Sequence, residues 1–290
     1  MKPNVHTTIK SLLNEKLSKL EGYFNADVFC YYGALVDGLE SQILSIVEEL
    51  ANDENKKERL VVILTTTGGS AVAVERYVNI FRQHYSVVDF VVPDYAYSAG
   101  TIFCMSGDNI YMDYFSVLGP IDPQVQNKEG KWVAALGYLD KVNEAIEKSR
   151  NNTITQAEFL MIKDLDLAEL RGYEQAKELT IDLLKKWLVK YKFKNWNEHN
   201  TNPDKLGQPV TPEEKELRAE EIAGQLSDNS VWKSHSRPIN VERLRELRLK
   251  VEDFSENEEL RLLVRDYYDL LSDYVTSNNL QIFVNTRNFI

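Results

Sequence analysis

The sequence predicts an α/β fold with a mainly parallel sheet in its first half. Short apolar segments rich in β-branched residues alternate there with segments whose apolar residues recur at helical spacing. The apolar segments are 60–65, 87–92 and 109–112, and the helical patterns cover 71–84 and about 98–106. Strands and helices that alternate with short links are typical of parallel strands joined by crossover helices.

The flanking segments extend this pattern toward the start of the chain. Residues 8–20 and 39–50 carry apolar residues at three- and four-residue steps, which indicates two amphipathic helices. The β-rich run 28–32 between them predicts a further strand. We therefore interpret residues 1–125 as one α/β unit.

Beyond residue 130 the sequence becomes more charged and predominantly helical. Apolar residues recur at helical spacing over stretches that contain almost no glycine or proline. These stretches are 133–150, 156–192, 213–226 and 258–275. Residues 195–212 predict a polar surface loop, and 280–284 predicts a terminal strand. We interpret residues 126–290 as a mainly helical extension that completes the fold, covers a site or mediates subunit contacts.

The composition is that of an acidic globular protein. The 290 residues carry a net charge of −11, so the chain lacks the basic footprint of a nucleic-acid-binding protein. Cys30 and Cys104 lie in apolar segments, and two cysteines give no disulfide framework, which suits a reducing compartment. No run of about 18 apolar residues occurs, and the first 24 residues lack the apolar core of a signal peptide. We expect a cytoplasmic protein without a membrane span.

Two short motifs fall at the predicted carboxyl ends of neighbouring strands. TTTGGS places Gly68 and Gly69 after the strand 60–65, and PDYAYSAGT places Ser98 after the strand 87–92. Parallel strands one βαβ unit apart bring these ends side by side, where ligands bind in open α/β sheets. The motifs therefore predict one hydroxyl beside two backbone N–H groups, an arrangement suited to nucleophilic attack on a carbonyl group.

Each motif also has a purely structural interpretation. The two glycines can form a strand-to-helix turn that needs positive φ, and Ser98 can be a helix N-cap. A phosphate-binding loop is disfavoured because neither GxGxxG nor GxxxxGK[ST] occurs, and nothing else indicates a cofactor or a metal. Ala99 and Gly100 favour the functional interpretation, because small residues after the serine allow close approach to the backbone.

Together the motifs resemble the ClpP/crotonase superfamily, and within it the ClpP-class serine peptidases that include signal peptide peptidase A and the serine dehydrogenase proteinases. In the last group TPGG, Y-x-M-S-x-G-T and MDP-x-x-x-LGP-x-DPQ occur in this order, and this chain has TTGG, YAYSAGT and MDYFSVLGPIDPQ. VWKSHSRPI at 231–239 is similar to that group's W-x-H-x-x-P-I region. The resemblance implies a ClpP/crotonase-like fold of repeated ββα units, with 1–125 as the catalytic core and an added C-terminal helical region.

The resemblance also implies a nucleophile and an oxyanion hole. Ser98 matches the family's nucleophile, and the backbone N–H groups of Ala99 and of Gly69 or Gly68 match its oxyanion donors. One such donor contributes about 3 kcal/mol to stabilisation of the transition state. A peptide or protein substrate and homo-oligomerisation are further implications of the family.

The general base stays open at this point. The ClpP branch has a histidine after the serine, but residues 120–125 read PIDPQV, with Asp122 as the only titratable residue. The signal peptide peptidase branch uses a desolvated lysine instead, for which the downstream candidates are Lys128, Lys131 and Lys141. His235 is the histidine that a turn can bring to the site, and we expect it to act as the base with Asp122 orienting it.

These observations predict an ATP-independent cytoplasmic serine peptidase, since no P-loop is present. Two alternatives remain. The first is a crotonase-type hydratase or thioesterase that acts on CoA esters through the same oxyanion hole with an acidic base. The second is a scaffold or binding protein that has lost catalysis.

Overall fold

A computed structural model describes residues 5–126, 132–163, 165–200, 202–235 and 237–290. The first part contains α1 (Val5–Phe24), β1 (Asp27–Gly33), α2 (Glu40–Ala51), β2 (Arg59–Thr65), α3 (Ala71–His84), β3 (Val87–Val92), β4 (Tyr95–Ala96), α4 (Ala99–Met105), β5 (Asn109–Met112), β6 (Val117–Leu118) and β7 (Gln124–Gln126). The second part contains β8 (Trp132–Ala134), α5 (Ala135–Arg150), α6 (Gln156–Lys163), α7 (Leu167–Trp187), α8 (Pro212–Ser227), α9 (Asn229–Trp232), α10 (Val241–Glu246), β9 (Glu252–Asp253), α11 (Glu258–Ser277) and β10 (Ile282–Asn285).

The predicted α/β fold is confirmed, and its centre is a six-stranded sheet in the order β10-β1-β2-β3-β5-β9. The strands from β1 to β9 in this order pair in parallel, and β10 pairs with β1 in the antiparallel sense. The terminal strand expected at 280–284 is therefore confirmed as an edge strand of the main sheet. Two elements of the C-terminal half, β9 and β10, thus belong to the same sheet as the strands of residues 1–125.

Helices cover both faces of the sheet, which explains why its strands are apolar on both sides. Alternate residues of β2 face opposite layers: Leu60, Val62 and Leu64 lie in one core cluster with residues of α2 and α3. Val61 and Ile63 lie in a second cluster with residues of α1 and α11. Across the described ranges no helix combines the length and the apolar character needed to cross a bilayer.

The helical character expected over 156–192 is confirmed, and the structure divides this stretch into separate helices. Helix α6 ends at Lys163, and α7 begins after Asp166, whose carboxylate accepts the N–H groups of Ala168 at 2.8 Å and Glu169 at 3.4 Å. Such a cap starts a new helix. A π-helical segment, Leu188–Lys192, then follows α7.

Candidate active site

The glycine turn after β2 adopts a conformation that only glycine adopts easily. Gly68 has φ +100° and Gly69 has φ +144°. Leu35 holds the turn in place: its N–H donates to Gly68 O at 2.9 Å, and its carbonyl accepts the N–H of Ser70 at 2.7 Å. A Cβ on Gly69 would lie 2.0 Å from Leu35 O, so the turn has no room for a side chain there.

The turn that contains Ser98, called the serine turn below, lies directly against the glycine turn. A Cβ on Gly68 would lie 2.8 Å from the Cβ of Ser98. Ser98 is half-buried and has φ 53° and ψ −116°, a rare conformation for a residue with a side chain. Its hydroxyl makes no capping hydrogen bond to α4, which begins at the next residue. The helix expected from about Ser98 is thus confirmed, but Ser98 does not cap it.

The N–H groups of the two turns differ in whether they are already engaged. Gly68 donates its N–H to Thr66 Oγ1 at 3.0 Å. The N–H groups of Gly69 and Ala99 have no acceptor within the described residues. Of the donors that the sequence suggests for an oxyanion hole, Gly69 and Ala99 are therefore the two that remain free to bind one.

We predict that Gly69→Ala lowers both stability and activity. The added Cβ meets the Leu35 carbonyl, and overpacking of this kind costs about 1–3 kcal/mol. Gly22→Ala is the control, because Gly22 lies in α1 with nothing within 4 Å of the added Cβ, and its free energy of unfolding should rise by about 0.5–1 kcal/mol. Urea unfolding of both variants measures these changes, and equal stability of the two would contradict the proposed role of the turn.

Asp122 and His235 form a direct pair although they are far apart in the sequence. His235 Nδ1 lies 2.7 Å from Asp122 Oδ1, and the side chains are 19% and 2% exposed, respectively. Asp122 Oδ2 is buried and accepts no hydrogen bond from any described residue. A buried carboxylate in contact with a ring nitrogen fixes the orientation of the imidazole.

Pairing between two backbone segments brings this pair together. Leu118, at the end of β6, exchanges two hydrogen bonds of 2.9 Å with Ile239, and the two segments run antiparallel. Asp122 lies four residues after Leu118, and His235 lies four residues before Ile239. In an antiparallel pair these two positions are opposite each other.

The Asp122 segment also contacts the serine turn. Strand β6 pairs with β4, which ends two residues before Ser98. A Cβ on Gly119 would lie 2.5 Å from Tyr97 Cδ1, so this segment packs against the residue that precedes Ser98. The side-chain hydrogen bond of His235 goes to Asp122, and none joins it to the hydroxyl of Ser98. In enzymes generally, hydrogen bonds between catalytic groups are often long without substrate and tighten when substrate binds.

Two stacked tyrosines precede Ser98 in the chain. The rings of Tyr95 and Tyr97 lie 5.5 Å apart. Burial raises the pKa of Tyr95 to about 12, and burial together with the charge of Asp94 raises the pKa of Tyr97. Both phenols therefore stay protonated at neutral pH and add no charge beside Ser98.

The lysine candidates fall in different places. Lys128 and Lys131 lie outside the described residues, and Lys141 is 76% exposed and paired with Glu144 at 2.7 Å. Burial lowers the pKa of Lys192 to about 8, the kind of change that a lysine base requires. However, Lys192 donates to the carbonyl of Asp108 at 3.4 Å. Asp108 lies just before β5, at the edge of the sheet opposite the one that carries Ser98.

Sequence reasoning missed two buried threonines beside these turns. The main chain of Thr66 pairs with both neighbours of Ala96, since its N–H donates to Tyr95 O and its carbonyl accepts the N–H of Tyr97, each at 3.0 Å. Thr101 lies in the first turn of α4 and is fully buried. Their signal in the sequence is their position inside TTTGGS and SAGT, where a hydroxyl residue adjoins each turn.

The sequence of this chain matches a known protein family. Residues 41–205 match the family model described as ClpP-like SDH-type serine proteinase. The matched segment contains both turns and Asp122, and His235 lies beyond it.

Two curated relatives come from Methanocaldococcus jannaschii. Uncharacterized protein MJ1495 is 29% identical over 184 residues, which is 63% of this chain and 49% of the relative. Uncharacterized protein MJ0137 is 28% identical over 200 residues, which is 69% of this chain and 55% of the relative. The chain thus spans about half the length of these curated relatives.

Two solved structures are also similar. The 1510-N membrane-bound stomatin-specific protease has a TM-score of 0.31 and 20% identity, covering 47% of this chain and 69% of that one. The ClpP protease catalytic domain from Plasmodium falciparum has a TM-score of 0.32 and 14% identity, covering 60% of this chain and 90% of that one.

Proposed function

The chain belongs to the ClpP-like SDH-type serine proteinase family, and we propose that it is an ATP-independent serine peptidase with Ser98 as its nucleophile. The observation that carries this proposal is the Asp122–His235 pair. The pair lies on a segment that packs against the serine turn, and its nitrogen-to-oxygen distance is 2.7 Å. A nucleophile, a histidine and a buried carboxylate are the three groups that a serine peptidase uses.

Each group has one step in the proposed reaction. Ser98 Oγ attacks the carbonyl carbon of the scissile peptide bond, and His235 Nε2 accepts the hydroxyl proton. Asp122 accepts the Nδ1–H of His235, which holds the tautomer that leaves Nε2 unprotonated and stabilises the imidazolium that forms. His235 then gives the proton to the leaving amine, and water hydrolyses the acyl-enzyme by the same route.

The oxyanion of the tetrahedral intermediate accepts two backbone hydrogen bonds in this proposal. The donors are Gly69 and Ala99, whose N–H groups have no acceptor within the described part of the chain. Gly68 has a steric role instead, because its N–H is bonded to Thr66 and the absence of a side chain lets the serine turn approach. Preorganised donors of this kind cost nothing to reorient during the reaction.

Hydrolysis of fluorescently labelled casein without ATP tests the proposed activity. We expect the wild type to release peptides at the same rate with and without added nucleotide. Turnover of an acyl-CoA ester without casein cleavage would favour the crotonase-type alternative. An absence of both activities, together with no reaction toward a fluorophosphonate, would favour a scaffold protein. A cytoplasmic location remains a prediction from the sequence.

We also propose that the chain forms a homo-oligomer through α6 and its neighbour α5. Helix α6 has no buried residue, and its large apolar side chains Phe159 and Met161 are 58% and 77% exposed. Met161 also lines a groove of about 670 Å³, together with residues of α5 and with Glu158, Ile162 and Leu165. An apolar helix next to an apolar groove is self-complementary, as a two-fold interface requires.

The charges around this groove favour a second copy of the chain as its occupant. Lys148 pairs with Glu144 at 2.8 Å and with Glu158 at 2.6 Å, and Lys141 pairs with Glu144. The rim therefore carries balanced charge, although the chain as a whole has a net charge of −11. Two copies can meet here without the like-charge repulsion that acidic surfaces would cause.

Charge placed on α6 should dissociate this oligomer. We predict that Phe159→Glu combined with Met161→Glu shifts the protein to the monomer in sedimentation velocity, while the wild type sediments as an oligomer. Leu262→Glu is the matched control, since Leu262 is a similarly exposed apolar residue on α11. A monomeric wild type, or an oligomer that survives the double substitution, would reject the interface.

A further inference from the structure

Thr101 lies where the segments of the site meet. Its side chain is fully buried in the first turn of α4, three residues after Ser98. Its Oγ1 lies 2.9 Å from the carbonyl oxygen of Ala96 and 2.8 Å from that of Gly119, and it accepts the N–H of Gly119 at 3.0 Å. One hydroxyl thus links β4, α4 and the segment that leads to Asp122.

The link to Gly119 sets where the Asp122–His235 pair lies relative to the nucleophile. Gly119 follows Leu118, which is hydrogen-bonded to the His235 segment, and precedes Asp122 by three residues. Gly119 offers no side chain of its own for an anchor. Among the side chains of the described residues, Thr101 is the one that hydrogen-bonds to its backbone. A shift of this segment would move both Asp122 and His235 away from Ser98.

The two hydrogen-bonding partners of Thr101 belong to the paired segments that contain β4 and β6. Ala96 is in the strand that leads into Ser98, and Gly119 packs against Tyr97. The hydroxyl has one proton, which it donates to a carbonyl, while its oxygen accepts the N–H of Gly119. Valine has the same shape but can neither donate nor accept, so it tests the hydroxyl alone.

We propose that Thr101 is a positioning residue that holds the Asp122–His235 pair in register with Ser98, an inference that rests on the proposed peptidase function. Its hydroxyl does not touch the reacting atoms. It acts by fixing the backbone of Gly119 against the helix that carries the nucleophile. A misplacement of about 1 Å by a distant change can lower the rate about 100-fold.

The rate of labelling by a fluorophosphonate measures this role, because the maximal rate constant and the probe's dissociation constant can be separated. We expect Thr101→Val to lower the maximal rate constant about 100-fold with little change in the dissociation constant. Thr101→Ser keeps the hydroxyl and should restore the rate close to that of the wild type.

Thr286→Val is the matched control for loss of a buried threonine hydroxyl. Thr286 follows β10, at the edge of the sheet opposite Ser98, and is fully buried. Its hydroxyl accepts the N–H groups of Asn288 at 3.3 Å and Phe289 at 3.1 Å. We expect this variant to lower the melting temperature as Thr101→Val does while leaving the labelling rate unchanged.

Gly119→Ala gives a second test that does not depend on whether Thr101→Val folds. The added Cβ would displace the same segment from Tyr97, and we expect the same selective loss of the maximal rate constant. Unchanged labelling in Gly119→Ala or in folded Thr101→Val would overturn the inference, as would a Thr101→Ser variant as slow as the valine variant. If the wild type is not labelled at all, the proposed function itself fails, which is a distinct result.

Discussion

Ser98→Ala is expected to lower the peptidase rate constant roughly 10⁶-fold, as loss of the nucleophile does in serine peptidases. The reason is that the substitution removes the proposed nucleophile from the turn that contacts Gly68. The fold should not change, because alanine keeps the Cβ and the hydroxyl of Ser98 caps no helix. Casein cleavage and the melting temperature together measure this prediction.

Ser70→Ala is the control for this result. Ser70 lies in the adjoining turn, where its Oγ accepts the N–H of Ala73 at 3.1 Å and donates to Asp37 at 2.8 Å. Loss of this helix cap should cost about 1 kcal/mol of stability and leave the activity in place. The assignment of the nucleophile would be contradicted if Ser98→Ala still cleaved casein. It would also be contradicted if Ser70→Ala folded normally but failed to cleave casein.

Asp122→Asn is expected to lower the rate constant about 10⁴-fold without unfolding the protein. The amide has nearly the shape of the carboxylate, but its NH₂ group can donate to Nδ1 of His235. That hydrogen bond would favour the tautomer with the proton on Nε2, which cannot accept the proton of Ser98. The steady-state rate constant for casein cleavage, measured beside the melting temperature, gives the effect.

Asp94→Asn provides the comparison for removal of a nearby carboxylate charge. Asp94 is half-buried before β4, and its Oδ2 accepts the hydroxyl of Tyr268 at 2.9 Å. We expect this variant to retain most of its activity. Equal losses in the Asp94 and Asp122 variants would indicate a general electrostatic effect and would argue against a specific role for the Asp122–His235 pair.

The main elements of the fold could be predicted from the sequence because their patterns are local. The strands β2 and β3 are apolar runs rich in valine and isoleucine, and α3 has clear helical spacing. Strands β4 and β6 have two residues each, which is too short for any periodicity to appear. They form because Thr66 offers a backbone partner to Ala96 and Ile239 offers one to Leu118. Such long-range pairing leaves no local pattern.

The residues of the site could likewise be predicted where their signal is local, and not where it depends on long-range pairing. Gly69 and Ser98 could be proposed from their motifs, since a glycine pair and a serine at strand ends restrict the local backbone. The contact between Asp122 and His235 depends on the distant pairing of Leu118 with Ile239, so the sequence offered His235 as one of several candidates for the base. The resemblance suggested the partners, and the antiparallel pairing gives the physical reason that they meet.

The polar surface loop expected at 195–212 contains a buried histidine, which its composition does not predict. His199 is buried, with Nε2 3.2 Å from a carboxylate oxygen of Glu214 and its ring edge-on to Trp196. The polar composition of 195–212 suggested a solvated loop. In the structure Trp196 of this segment packs against Phe193, and α8 supplies a carboxylate that pairs with the buried imidazole.

The most direct test of the account is to identify the residue that a fluorophosphonate modifies. Peptide mapping by mass spectrometry of the labelled wild type should locate the adduct on the peptide that contains Ser98, with no adduct in Ser98→Ala. Labelling should also fall sharply in Asp122→Asn while that protein stays folded. An adduct on another residue, or an active wild type that the probe does not modify, would contradict the claim that Ser98 is the nucleophile of a serine peptidase.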